Sequence, residues 1–91
     1  MAVTYNAVKR AEALRERQLD FADAAIVFDG KVATAEDDRF DYGETRYITA
    51  GYLHGRMVVI VWTPRGADHH VISMRHCHAK EERRWRREID Q

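Results

Sequence analysis

The stretch TRYITAGYLHGRMVVIVWT, Thr45–Thr63, decides the fold. Its first half has the two-residue alternation of a strand, in which successive side chains lie on opposite faces. One face would carry Tyr47, Thr49 and Gly51, and the other Ile48, Ala50 and Tyr52. Its second half, Met57–Trp62, is continuously apolar, as in a strand that is buried on both faces. The intervening His54 and Gly55 suit a tight turn because glycine tolerates positive φ. The sequence therefore predicts an antiparallel hairpin.

A further strand follows this hairpin, and another can precede it. PRGAD, residues 64–68, has the composition of a turn, and HHVISMR, residues 69–75, has that of a strand. These segments predict a three-stranded antiparallel meander. Residues 31–35 are a candidate for a short fourth strand, ahead of an acidic loop.

Helical patterns occupy both ends of the chain. Asn6 is a candidate N-cap for a helix of about three turns, which is predicted to bury one side. The residues on that side are Ala7, Val8, Ala11 and Leu14. Asp20 is the N-cap candidate of a second helix, and this helix is predicted to end at Asp29 and Gly30. A third, very polar helix covers residues 79–89. The predicted fold is α+β in one domain, residues 1–91, with two N-terminal helices, an antiparallel sheet of three to four strands and a C-terminal helix.

The overall composition limits the function classes. Fifteen basic residues balance fifteen acidic ones, so attraction to a polyanion depends on local clusters. Basic residues predominate from Arg75 to Arg87, and acidic residues from Glu36 to Glu44. A single cysteine fits a reducing compartment, and the first residues contain no apolar segment of signal-peptide length. We therefore expect a cytoplasmic protein with no membrane association.

Four of the five histidines and the only cysteine lie between Asp68 and Arg84. In a regular strand, His70, Ile72 and Met74 would share one face, and a second set, His69, Val71, Ser73 and Arg75, would share the other. A metal site built from His69, His76, Cys77 and His78 is one hypothesis, but the chain has no CxxC or HExxH motif. The competing interpretation treats these as ordinary strand-end and loop residues. A third interpretation is a catalytic or RNA-contact role for one of these histidines, above all His70.

Cations from three distant segments are the other candidates for a site. Arg46 begins a strand, Arg75 ends another, and Lys9 can reach the sheet from the first helix. Three cations that converge on a concave sheet surface suit a phosphate. The cations of the last helix are more simply interpreted as a solvated face. They are Arg83, Arg84, Arg86 and Arg87.

Three long segments resemble one protein family in order and spacing. They are KRAEALRERQLDFADAAIVF, ETRYITAGYLHGRMVVIVWT and VISMRHCHAKEERRW. The pattern is a Lys in the first helix, a Phe-x-x-Ala, a Glu-x-Arg before a strand, an Ile-Ser-x-Arg at a strand end and a Glu-Arg in the last helix. Here these residues are Lys9, Phe21 with Ala24, Glu44 with Arg46, Ile72 to Arg75, and Glu82 with Arg83. The chain thus resembles the BrnT-type ribonuclease toxins of bacterial toxin-antitoxin pairs, which implies a fold similar to RelE.

The resemblance implies RNA cleavage without a metal or another cofactor. In such chemistry the ribose 2′-hydroxyl attacks the adjacent phosphate, so the protein accepts a proton, donates another and stabilises phosphoryl charge. The expected roles are Lys9 as general base or phosphate ligand, Arg46 and Arg75 as phosphate clamps, and His70 as general acid. Glu44 is an alternative base, with Lys9 then purely electrostatic.

Other residues of the pattern have a structural interpretation as well. Glu82 and Arg83 are either an ion pair or part of an RNA-binding site. For the apolar members of the pattern and two further aromatics, a place in the core is preferred. These residues are Phe21, Ala24, Tyr47, Ile72 and Trp85.

The resemblance also implies a partner. The expected partner is a cognate ribbon-helix-helix antitoxin of the BrnA type, which dimerises, carries two toxins in a heterotetramer and alone contacts DNA. Two departures from the family pattern motivate a second hypothesis. Glu16, Arg17 and Gln18 stand where many members have Lys-His-Gly, and His70 stands where many have an arginine. Because a histidine carries positive charge only when protonated, the alternative is a binding module with weakened catalysis.

Overall fold

A computed structural model describes residues 2–91. The strands are β1 (Val3–Tyr5), β2 (Val32–Glu36), β3 (Tyr47–Leu53), β4 (Arg56–Arg65) and β5 (Asp68–His76). The helices are α1 (Ala7–Arg17), α2 (Ala24–Asp29), which a 3-10 turn at Phe21–Asp23 precedes, and α3 (Ala79–Ile89). The strands form one sheet in the order β1-β5-β4-β3-β2. None of the helices in the described part of the chain has the length and apolar content needed to cross a bilayer.

The predicted fold class is wrong. The sheet has five strands and is mixed, because β1 runs parallel to β5 while the other pairs are antiparallel. The first element of the described residues is therefore a strand and not a helix. Val3–Tyr5 is too short to show an alternation, and it becomes a strand only because the edge of β5 offers hydrogen-bonding groups. His69 N–H, for example, donates to the Ala2 carbonyl at 2.8 Å.

The turn and cap signals do correspond to local structure. His54 and Gly55 both have positive φ, 51° and 80°, as a two-residue hairpin turn requires. The Asn6 side chain accepts hydrogen bonds from the backbone N–H groups of Val8 and Lys9. Asp20 caps the 3-10 turn by accepting from Ala22 N–H at 2.9 Å. These elements depend on residues close in sequence, which is why the sequence predicts them.

Two apolar clusters hold the layers together. On the α1/α2 face, Phe21 and Val27 pack against Ile60, Val71 and Met74. On the opposite face, which we call the α3 face, the two buried residues of α3 pack at the β2 side of the sheet. These are Trp85 and Ile89, with Ala33, Ala50 and Met57 beneath them. Because α3 lies over β2, the β4 and β5 part of this face is less covered, and Val61 and Ser73 remain half-buried.

A β-bulge in β5 changes which residues share a face. Val61 pairs with Ser73 but Trp62 pairs with Val71, so Ile72 is an extra residue without a partner. The bulge reverses the alternation after Ile72. The prediction that His70 and Arg75 lie on opposite faces is therefore wrong, because both lie on the α3 face.

The predicted buried side of α1 is also wrong. Val8 is 66% and Leu14 42% exposed, whereas Ala13 is the residue of α1 that enters the core. The helix is too polar for its periodicity to fix its rotation. The bidentate ion pair between Arg10 and Asp20, at 2.7 and 2.9 Å, fixes α1 against the following turn instead.

Candidate active site

One row of side chains crosses the α3 face where the sheet is open, and we call it the His70 row. Its members come from adjacent strands: Thr4, His70, Thr63, Arg46 and Asp37. Thr63 pairs with His70 and Thr4 lies beside it, while Arg46 precedes Tyr47 and so continues the register beside Thr63. The Asp37 N–H donates to the Arg46 carbonyl at 2.8 Å. With neighbouring strands about 4.8 Å apart, the Cα atoms of Arg46 and His70 are about 10 Å apart.

His70 is half-buried, with one ring nitrogen held and the other free. Its Nδ1 lies 2.8 Å from the hydroxyl oxygen of Thr4. Its Nε2 has no hydrogen-bond partner within residues 2–91. Burial lowers the pKa of His70 from its ordinary 6.5, and the positive charge of Arg65 and then of Lys9 lowers it further, against the opposing effect of Glu44. The imidazole is therefore mainly neutral at pH 7.

Glu44 and two arginines stand beside this histidine. Arg46 Nε donates to Glu44 at 3.2 Å, and Arg65 Nη2 lies 3.9 Å from the other carboxylate oxygen. The guanidinium carbon of Arg46 also lies 4.0 Å from the centre of the Tyr42 ring, a cation-π contact. One carboxylate shared by two guanidinium groups leaves a net positive charge next to His70.

Lys9 reaches the same neighbourhood from α1. Its backbone N–H is held by Asn6 at 3.1 Å, while the residue is exposed. The positive charge of Lys9 lowers the pKa of His70, so its ammonium group lies near the His70 row. The first turn of α1 is brought there because β1, directly before it, pairs with β5.

Arg75 lies on the same face but in a different row. It pairs with Val59, four residues along β4 from Thr63 and thus about 13 Å away. Both ends of its guanidinium donate to Glu81, at 2.7 and 2.8 Å. Hydrogen bonding to Arg75 lowers the pKa of Glu81 to about 2. The guanidinium of Arg75 is therefore engaged by a carboxylate of α3. Lys9, Arg46 and Arg75 do not line one common cavity.

Arg83 is apart from these groups. It is exposed on α3 and has no hydrogen bond or ion pair within the described chain. Glu82 pairs with Arg86, at 2.6 Å, so the hypothesis of a Glu82 and Arg83 ion pair is wrong. A shallow open depression on the surface of α3 is lined by His78, Lys80, Glu81, Arg84 and Arg87, and only residues of that segment line it.

The histidines near Cys77 do not converge. His69 stacks on the Trp62 ring at 4.0 Å on the α1/α2 face, whereas Cys77 packs against the α3 cluster. Burial raises the pKa of the Cys77 thiol to about 11, and the negative charge of Glu81 adds to this, so the thiolate that metals and electrophiles require is scarce. Within residues 2–91, no three His, Cys, Asp or Glu side chains are grouped as metal ligands would be.

The core interpretation holds for three of the five apolar residues. Phe21, Ala24 and Trp85 are buried. Tyr47 and Ile72 are only half-buried, Tyr47 against the Trp62 ring at 5.0 Å and Ile72 at the bulge.

Sequence reasoning missed three polar residues of this region. Thr4 is hydrogen-bonded to His70, and the positive charge of Arg65 lowers the pKa of His70. The positive charge of Arg39 likewise disfavours the charged form of Arg75. Arg65 stands five residues before His70, across the turn between β4 and β5, so the predicted hairpin indicates that the two are close. No such pattern indicates Thr4, because its position depends on the parallel pairing of β1.

Comparison with known proteins adds the family. A family model described as "Ribonuclease toxin, BrnT, of type II toxin-antitoxin system" matches residues 5–81. The chain belongs to the BrnT family. No curated protein matched the chain.

This BrnT toxin is thus a ribonuclease toxin of a type II toxin-antitoxin system, which implies a protein antitoxin as its partner. The matched residues include every member of the His70 row except Thr4, and they end at Glu81, the partner of Arg75. Arg83 lies beyond them.

Proposed function

We propose that this BrnT toxin cleaves RNA at the His70 row, and thereby inhibits translation and growth. The observation that carries the proposal is the free Nε2 of a neutral histidine beside Glu44, Lys9, Arg46 and Arg65. RNA cleavage needs a group that accepts the proton of the 2′-hydroxyl and cations that stabilise the phosphate. Both kinds of group occur within this row and its surroundings.

The direction of the His70 pKa favours a base over an acid. A neutral imidazole accepts the 2′-hydroxyl proton at Nε2 while the new bond between the 2′-oxygen and phosphorus forms. The bond between phosphorus and the 5′-oxygen then breaks, and the departing oxygen takes a proton from water at this open surface. The products are a 2′,3′-cyclic phosphate and a 5′-hydroxyl. Thr4 supports this role because its hydrogen bond to Nδ1 fixes the orientation of the ring.

Arg46 and Arg65 are proposed to hold the phosphate, with Lys9 adding charge. Glu44 is within 3.2 Å of one of these guanidinium groups and 3.9 Å of the other, so it fixes their approach to the row. Both carboxylate oxygens of Glu44 face arginines, whereas the Nε2 of His70 has no partner, which favours an orienting role for Glu44 over the base role.

We expect Arg46→Ala to lower kcat/KM for RNA cleavage about 10- to 150-fold, the equivalent of one charge-assisted hydrogen bond of about 1.5 to 3 kcal/mol. Arg46→Lys should fall between this variant and the wild type, since lysine keeps the charge but lacks the planar fork. The measurement uses purified toxin and an RNA labelled at both ends. Products should carry the cyclic phosphate.

Arg56→Ala is the matched control. Arg56 is an exposed arginine at the other end of β4, about 23 Å from Thr63, so its loss should change kcat/KM less than twofold. Equal losses in the two arginine variants would mean that general charge and not this row carries the activity. An unaffected Arg46→Ala enzyme would exclude Arg46 from the site.

We further propose that the antitoxin is a ribbon-helix-helix protein, encoded beside the toxin gene, whose dimer binds two toxins and carries the only DNA contact. Co-expression with that gene should rescue growth, and light scattering of the purified complex should give two chains of 10.6 kDa plus two antitoxin chains. A complex with one chain of each would contradict the stoichiometry.

A second candidate function is RNA or antitoxin binding without cleavage. Both ends of the Arg75 guanidinium are taken by Glu81, and neutral His70 adds no cationic charge, so the clamp is weaker than three free cations would be. Salt-dependent RNA binding with no cyclic-phosphate product would favour this alternative.

A further inference from the structure

Phe40, in the loop between β2 and β3, is unusually exposed. Four large apolar side chains are exposed in residues 2–91, and Phe40 is the only aromatic one, with 69% of its surface accessible. An aromatic ring held in water gives up the stabilisation that burial would provide. Exposed aromatic rings beside cationic groups are how proteins stack unpaired nucleobases.

The loop that carries Phe40 is anchored on both sides of it. Asp37 is buried, and it accepts hydrogen bonds from Arg39 Nε at 2.8 Å and Nη2 at 2.9 Å, and from the Tyr42 hydroxyl at 3.1 Å. Hydrogen bonding to Arg39 lowers the pKa of Asp37 to about 2, so the anchor persists throughout the neutral range. A ring on such an anchored loop needs little ordering when it binds a base.

A chain of ring contacts leads from Phe40 to the His70 row. The Phe40 and Tyr42 rings meet edge-to-face with centroids 5.9 Å apart, and the Arg46 guanidinium lies 4.0 Å from the Tyr42 centroid. Because 69% of the surface of Phe40 is accessible, much of its ring remains open to a further stacking partner. Phe40 therefore stands one aromatic ring away from the arginine proposed to hold the phosphate.

We propose that Phe40 is a nucleobase-stacking residue, which receives a base adjacent to the phosphate held at Arg46. The inference rests on the proposed function and assigns this loop a part in RNA binding. Asp38 and Asp41 are exposed on either side of Phe40 and repel phosphates, so a base and not the backbone meets the tip of the loop. An unpaired base in single-stranded RNA is the ligand that fits an apolar ring at this place.

The test measures binding of fluorescein-labelled 2′-O-methyl oligonucleotides of ten uridines or ten adenosines, which have no free 2′-hydroxyl and resist this cleavage. Phe40→Ala should raise Kd roughly 5- to 150-fold, the loss expected for one base stacked on an aromatic ring. Phe40→Trp should bind within about threefold of wild type. Addition of the unlabelled oligonucleotide should quench the tryptophan fluorescence of the Phe40→Trp variant more than that of the wild type. The tryptophans of the wild type are Trp62 and Trp85.

Two controls separate stacking from damage to the loop. Ile26→Ala removes another exposed apolar side chain, on α2, and should leave Kd unchanged. An oligonucleotide of ten abasic sugar-phosphates has no base to stack, so the wild type and Phe40→Ala should bind it equally. If Phe40→Ala weakens abasic binding as much as uridine or adenosine binding, or weakens neither, the proposal is overturned. Unchanged oligonucleotide binding with loss of antitoxin binding would instead make Phe40 an antitoxin contact and overturn it too.

These outcomes are independent of the cleavage assay. If the wild type cleaves RNA and Phe40→Ala binds normally, the stacking role fails while the proposed function stands. If the wild type cleaves nothing yet Phe40→Ala loses base-dependent binding, the cleavage proposal fails and the stacking role stands.

Discussion

His70→Asn should lower kcat/KM for RNA cleavage about 10²- to 10⁴-fold, the range of a general acid or base. Asparagine can keep a hydrogen bond to Thr4 in place of Nδ1, but it has no counterpart of Nε2 and does not titrate in this range. The substitution therefore removes the proposed proton acceptor and leaves the fold in place. His54→Asn is the matched control, because His54 is exposed in the β3-β4 turn and asparagine tolerates its φ of 51°.

The pH dependence of kcat/KM shows whether His70 acts as a base or as an acid. The folded protein favours the neutral imidazole, so the pKa of His70 lies below 6.5. If the neutral form is the base, log kcat/KM rises with pH below that pKa and is level above it, and His70→Asn lacks this rise. Activity that falls as pH increases from 5 to 7 would show that the protonated form is required, and His70 would then be an acid.

Stability must be followed over the same pH range. His69, His70 and His76 all have lowered pKa values, mainly because of burial. The unfolded chain therefore takes up more protons than the folded protein in mildly acidic solution. Their contribution to stability is fully present above pH 6.5 and is lost as pH falls below it. Circular dichroism at each pH should confirm that the toxin remains folded, so that the activity profile reports on catalysis alone.

Phe21→Ala should lower the free energy of unfolding by about 3 to 5 kcal/mol. Phe21 is 1% exposed, lies in the α1/α2 cluster and meets the Tyr5 ring edge-on at 6.4 Å. A domain of this size has about 5 to 14 kcal/mol in total, so the variant loses a large share of its stability. Urea denaturation followed by circular dichroism measures the change.

Phe40→Ala makes the same chemical change on the surface. Its ring is 69% exposed, so the free energy of unfolding should change by about 0.5 kcal/mol or less. Similar losses in the two variants would contradict the assignment of Phe21 to the core and of Phe40 to a solvent-facing tip. The contrast also shows that the Phe40→Ala binding assay examines a folded protein.

The composition of the candidate site could be predicted better than its geometry. Lys9, Glu44, Arg46 and His70 were chosen from the sequence, and all lie in or beside one row. Arg75 was expected to act with Lys9 and Arg46, but the Glu81 carboxylate takes its guanidinium. The two residues are only six positions apart, but their pairing depends on how the chain turns between β5 and α3, which no residue pattern there predicts.

The sequence by itself determined the local elements: the Asn6 cap, the His54 and Gly55 turn, the alternation of β3 and the apolar run of β4. Each depends on conformational preferences and periodicities within a few residues. Only the tertiary structure decided the parallel pairing of β1, the rotation of α1 and the bulge at Ile72 that brings His70 and Arg75 onto one face. These depend on hydrogen bonds and packing between segments up to 66 residues apart, as between Thr4 and His70, and no local pattern in the chain encodes them.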